Sequence, residues 1–166
     1  MSYRGQAHLF GDDVNTDYIT PTDYFGESME TIAAHVFEPI APDFHDRFEP
    51  GDLIVAGENF GSGSSRETAP RALAAAGVGA VIAASFARIF YRNGVAIGLP
   101  CVVCPAAPTL IEDGDTVAVD LAARTVTNET ADTSATTEPM AAALREIFDA
   151  GGLVAHYMTD SEGLGD

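Results

Sequence analysis

Gly57-Glu58-Asn59-Phe60-Gly61-Ser62-Gly63-Ser64-Ser65-Arg66-Glu67 divides an apolar run from an alanine-rich segment, and the reading of the whole chain turns on it. Ahead of it, Asp52-Leu53-Ile54-Val55-Ala56 reads as a buried strand; behind it, Arg66 to Ala76 has helical composition that stops at Gly77. The stretch is therefore a loop between a strand end and a helix start. Such a place leaves backbone N–H groups unpaired and turns the positive end of the helix dipole toward whatever fills the loop. Gly57, Gly61 and Gly63 allow the backbone to approach a ligand closely, and Ser62, Ser64 and Ser65 add hydroxyls. Arg66 adds a planar fork suited to a carboxylate or phosphate. A purely structural alternative stands beside this one, because Ser64 and Glu67 match a capping box. Pro70 either distorts the first helical turns or moves the helix start toward Thr68.

Other anion-binding loops do not fit these letters. The dinucleotide fingerprint Gly-x-Gly-x-x-Gly fails because Arg66 stands where the third glycine belongs. A Walker loop needs a lysine before Ser or Thr, and the chain has no lysine. A serine-hydrolase reading is weak, since no histidine or aspartate of a triad lies in the sequence neighbourhood of Ser64.

The chain's 166 residues, 46% of them hydrophobic, suit a single folded domain spanning 1–166, with a polar tail from about 160. Twenty-five acidic residues against 8 arginines give a net charge of −17, which excludes the basic footprint of a nucleic-acid binder. The acids are spread over turn-like segments, as expected of a protein from a salt-rich source. No apolar run approaches a membrane span and Met1 to Gly5 lacks a signal pattern, so a cytoplasmic, soluble protein is expected. Cys101 and Cys104 are the only cysteines, and a strand over Leu99 to Val103 sends residues three apart to opposite faces. Core packing is the simpler role for both. Two cysteines cannot supply the three or four thiolates of an iron–sulfur cluster, and the four histidines have no metal spacing. No metal is expected on this chain, and any cluster belongs on another.

In order, Tyr3 to Phe10 reads as a first strand, Gly11 to Asp17 as a polar turn, and Met29 to Phe37 as a helix ending before Pro39. Residues 41–51 read as a connecting loop. Ala80 to Ala84 and Leu99 to Val103 are strands around a helix from Phe86 to Asn93 closed by Gly94, an order that predicts parallel pairing. Thr116 to Leu121 and Arg124 to Thr127 alternate as a hairpin, and Glu138 to Ala150 is the last helix. The expected class is α/β with a mixed, partly parallel sheet.

Three ordered motifs carry a resemblance: the loop quoted above, Asp13-Val14-Asn15-Thr16-Asp17-Tyr18-Ile19-Thr20-Pro21, and Ala80 through Asn93. Together they resemble the swivelling domain of the aconitase superfamily, and within it the small subunits of 3-isopropylmalate dehydratase. The resemblance implies a three-layer β/β/α swivelling domain. It implies a hydro-lyase of leucine biosynthesis that isomerises 2- and 3-isopropylmalate, a dicarboxylate substrate, by dehydration and rehydration. It also implies a large partner subunit bearing a [4Fe–4S] cluster, with no cofactor on this chain. By the same resemblance Ser64 is the base, Asp17 a second catalytic residue, and Ser65 and Arg66 hold a substrate carboxylate. Tyr24 and Phe25 stand in a loop, Pro21 to Glu27, that adjusts substrate choice in the family and here holds no cation. Arg88 and Arg92, four apart on one helical face, suit either the site or a solvated surface. Homoaconitate- and citramalate-type hydratases, a non-catalytic anion-binding module, and a homo-oligomer of the isolated chain remain open alternatives.

Overall fold

A computed structural model describes residues 2–162. Strand β1 (Ser2–Leu9) is followed by short helices α1 (Thr16–Ile19), α2 (Met29–Ala33) and α3 (Phe44–Arg47), with a 3-10 turn at Thr22–Tyr24. Then come β2 (Leu53–Ala56), α4 (Thr68–Ala76), β3 (Ala80–Ala83), α5 (Arg88–Ile97), β4 (Cys101–Val103) and α6 (Ala107–Leu110). Three strands, β5 (Thr116–Asp120), β6 (Thr125–Asn128) and β7 (Thr133–Thr136), precede α7 (Ala142–Ala150) and α8 (Leu153–Glu162).

The sheet runs β4-β3-β2-β1-β5-β6-β7. Its first half is parallel, as strands joined by helical crossovers must be, and its second half is an antiparallel meander. Strand β1 is the seam: Ala7, His8 and Leu9 pair with β2, while Ser2 to Gln6 pair with β5. The parallel strands are apolar on both faces and serve two cores. Ile54, Ala56, Val81 and Ala83 pack with Phe37, Phe44, Leu73 and Phe90 under the helices. Leu53, Val55, Ala80 and Ile82 share the other core with Val117, Val119 and Val126 of the meander and with Ile147 and Phe148 of α7. The meander thus folds over the parallel half, giving the mixed, partly parallel α/β sheet that the patterns predict and the layering that the resemblance implies.

Several elements differ from expectation. Helix α4 starts at Thr68, and its N-cap, Glu67, makes no side-chain cap bond, so the Ser64/Glu67 capping box does not form. Helix α5 runs past Gly94 to a left-handed Gly98 at φ 84°. Gly94 is there for packing: a Cβ on it would lie 2.8 Å from Cys101 Sγ. The segment 41–51 holds α3, whose Phe44 is fully buried. Strand β7 and helix α8 were not anticipated, α2 is shorter and α7 starts later than the patterns suggest. The tail expected from about 160 is helical to Glu162, and its last residues, 163–166, lie outside the described residues.

Candidate active site

Two chain segments meet above the strand ends, Gly11 to Ile19 and the loop Gly57 to Glu67. Their base is tied by side chains. Asp12 Oδ1 accepts from Glu58 N–H at 2.8 Å, Asn59 Nδ2 donates to Asp13 Oδ1 at 3.0 Å, and Asn59 N–H donates to Ser85 Oγ at 2.8 Å. Asp13 and Asn59 both hold left-handed backbone, φ 54° and 58°, which Asp and Asn tolerate better than most residues. Higher up, Phe60 is fully buried and packs edge-on against Phe90, their centroids 5.2 Å apart. Gly61, at φ 84°, lies so close to the Phe90 ring that a Cβ would be 2.2 Å from it. The loop crest is thereby carried out to the start of α4.

Asn15 caps α1, its side chain accepting from the N–H groups of Asp17 at 2.9 Å and Tyr18 at 3.1 Å. This fixes the Asp17 backbone in the first turn, with its carboxylate exposed beside the crest. Ser64 Oγ accepts from Arg66 N–H at 3.1 Å. Asn15, Thr16, Asp17, Phe25, Gly63, Ser64 and Arg66 line one hollow of about 410 Å³, and Thr68 and Ala69 at the start of α4 line a much smaller cavity that shares Thr16, Asp17, Phe25, Ser64 and Arg66 with it. The Arg66 guanidinium carbon is 5.4 Å from the Phe25 ring centroid, a cation–π placement. Arg4, Arg47 and Arg71 each pair with an acid, whereas Arg66 enters none of the ion pairs among the described residues. The arrangement sets a guanidinium, a carboxylate and a serine hydroxyl around one hollow.

Of the residues picked from the sequence, the structure brings Asp17, Phe25, Ser64 and Arg66 together. Ser65 is next to them but exposed, and its carbonyl accepts from Asn93 Nδ2 at 3.3 Å. Tyr24 faces elsewhere: its ring stacks on His35 at 3.9 Å and its hydroxyl donates to Glu38. Arg88 and Arg92 line a separate hollow of about 600 Å³ with Ser85, Phe86, Tyr91 and Val103, away from Ser64. Thr16, Asn59 and Ser85 also hold the loop; of these, only Thr16, in the cap-and-first-turn pattern Asn15-Thr16-Asp17, carries a usable signal in the sequence.

Cys101 lies in the core beneath the helices and Cys104 in the core beneath the meander. Burial pushes both thiols up from their ordinary pKa. No group of three or more His, Cys, Asp or Glu among the described residues is placed to hold a metal ion. This donor set does not fit an iron–sulfur cluster.

The Aconitase C-terminal domain family matches residues 27–106, which include Ser64 and Arg66. The 3-isopropylmalate dehydratase small subunit 2 of Archaeoglobus fulgidus is 48% identical over 158 residues, covering 94% of each chain. The chain belongs to the 3-isopropylmalate dehydratase small-subunit family. Within this family's reach is also the methanogen homoaconitase small subunit of Methanothermobacter thermautotrophicus, 47% identical over 93% of this chain and 90% of its own length. A crystal structure of 3-isopropylmalate dehydratase from Methanocaldococcus jannaschii shares the fold with a TM-score of 0.90 at 41% identity, covering 97% of this chain and 96% of that one.

Proposed function

We propose that this chain is the small subunit of a hydro-lyase that interconverts 2- and 3-isopropylmalate and works only with a large subunit. The observation that carries the reading is Ser64 Oγ, loaded by the Arg66 N–H, in a hollow shared with the unpaired Arg66 guanidinium, Asp17 and the apolar face of Phe25. Moving a hydroxyl between adjacent carbons requires loss of a weakly acidic C–H proton beside a carboxylate. Serine serves as that base only if its alkoxide is stabilised, which the Arg66 N–H and the open positive end of α4 both favour. The Arg66 fork holds the substrate carboxylate, with Ser65 beside it, and Asp17 assists proton transfer. A [4Fe–4S] cluster on the large subunit is assigned the Lewis-acid role, because the cysteines of this chain are spent in its cores.

Substrate choice follows from desolvation. Homoaconitate adds a third carboxylate, costly to bury without a cation, and the loop Pro21 to Glu27 offers only Phe25 to the hollow. An isopropyl group suits that aromatic face. The homoaconitase relative keeps the other substrate in view, since overall identity does not separate the two. The decisive experiment is anaerobic reconstitution with the large subunit and comparison of kcat/KM for 3-isopropylmalate, citramalate and homoaconitate. Preference for isopropylmalate with partial use of citramalate is expected, since a methylene discriminates by only about 1–3 kcal/mol; preference for homoaconitate would overturn the assignment.

The acid excess is read as adaptation to a salt-rich cytoplasm. Among residues 2–159 Asp52 is the one buried acid, so the other carboxylates of that range face solvent or partly face it.

A further inference from the structure

We propose that Thr16 is a positioning residue for Ser64, a role that rests on the reading of Ser64 as the base. Gly63 bends the crest at φ 113°, a conformation open to glycine, and glycine is the most permissive joint a backbone can have. Nothing in Gly63 itself keeps Ser64 in place. The residues on either side of it are both tied to Thr16: Thr16 N–H donates to Ser62 C=O at 2.8 Å, and Ser64 N–H donates to Thr16 Oγ1 at 3.0 Å. One side chain and its own backbone thus bracket the joint.

The clamp is rigid for reasons of its own. Thr16 is 5% exposed, sits at the first position of α1 behind the Asn15 cap, and its carbonyl accepts both Thr20 N–H at 2.8 Å and Thr20 Oγ1 at 3.0 Å. A β-branched side chain is also stiff at χ1. Gly63 approaches so closely that a Cβ there would lie 3.1 Å from Thr16 Oγ1, so the crest is seated on the hydroxyl. The effect on chemistry runs through Ser64. With its N–H held, its Oγ stays where the Arg66 N–H can reach it; released, the crest swings about Gly63 and the oxygen loses that donor. Thr16 also links the two halves of the site, since the next residue is Asp17.

The test uses Thr16→Val, which keeps the shape and removes the acceptor, and Thr16→Ser, which restores it. Two readouts are taken: hydrogen exchange of the Ser64 amide in the isolated chain, and steady-state kinetics of the complex reconstituted with the large subunit. Thr16→Val is expected to lose protection at the Ser64 amide and to lower kcat about a hundredfold, the scale of a misplaced reacting group, with KM changed only a few-fold. The limb of the pH–rate profile that reports the base should move to higher pH. Thr16→Ser should recover both protection and most of kcat. Unchanged protection in Thr16→Val overturns the clamp whatever the kinetics show. Lost protection with wild-type kcat overturns the positioning role, and so does a loss of kcat that Thr16→Ser does not repair. A wild-type complex without turnover would count against the proposed function, while the exchange data would still decide the clamp.

Discussion

Under the proposed function Ser64 is the base of the hollow and Arg66 its charge, and their substitution should separate the two. Ser64→Ala should lower kcat by about 10²–10⁴-fold with substrate affinity nearly kept, because general-base assistance is lost and the carboxylate grip is not. Arg66→Lys should instead raise KM by about 10- to 100-fold, since a point charge replaces a two-pronged donor and surrenders one charge-assisted hydrogen bond. Equal, mild effects of both in steady-state assays would overturn the assignment of base and carboxylate grip to this loop. Phe25 offers the place to alter substrate choice: Phe25→Arg puts a cation on the wall of the hollow, and use of homoaconitate relative to isopropylmalate should rise. Gly26 is the poorer host, since its φ of 86° strains any side chain. Much of this constellation could be read from letters because Ser64 and Arg66 are local to one loop. Tyr24 could not be placed in the same way, because its orientation is decided by His35 and Glu38, which lie in the turn after α2.

At the scale of elements, the loop is held by what it packs on, and Gly61 is pressed against the Phe90 ring. Gly61→Ala should cost about 1–3 kcal/mol from overpacking against Phe90, with about 1–2 kcal/mol more for the left-handed φ, read as a fall in the urea midpoint. The strand–loop–helix around Ser64 was legible because β2 is a pure apolar run and α4 an alanine-rich one, each stating its own preference locally. Gly94 and Gly98 were not separable on that basis: one glycine lets α5 lie on Cys101 and the other ends the helix, and only the packing tells them apart. Strand β7, Thr133-Ser134-Ala135-Thr136, carries no apolar alternation and exists because β6 pairs with it. Helix α3 was hidden between Pro42 and Pro50, its one strong anchor, Phe44, being invisible as such until the core closes over it.

Across the whole molecule, two bulk properties lead to solution tests. Burial raises the Cys101 and Cys104 thiols above the ordinary value of 9.0, so above that pH the unfolded chain releases protons that the folded chain retains. Stability is then full below about pH 9 and falls as pH rises past it, by at most about 1.4 kcal/mol per pH unit for each thiol. Chemical denaturation at pH 8 and 10 checks the sign, with Cys101→Ala as a control that should flatten the fall. The charge of −17 should make the chain more stable in 1 M salt, where the Debye length is about 3 Å, than in dilute buffer; equal midpoints in both would remove the case for a salt-rich origin. The seam strand has a consequence for biogenesis. Ser2 to Gln6 leave the ribosome well before their antiparallel partners, Thr116 to Asp120, which come more than a hundred residues later. At about 5–20 residues per second, that hydrogen-bonding edge stays unmatched for on the order of ten seconds of translation. Neighbouring nascent chains on one messenger would then present the same open edge, and a net charge of −17 on each body opposes the close approach that edge-to-edge pairing needs.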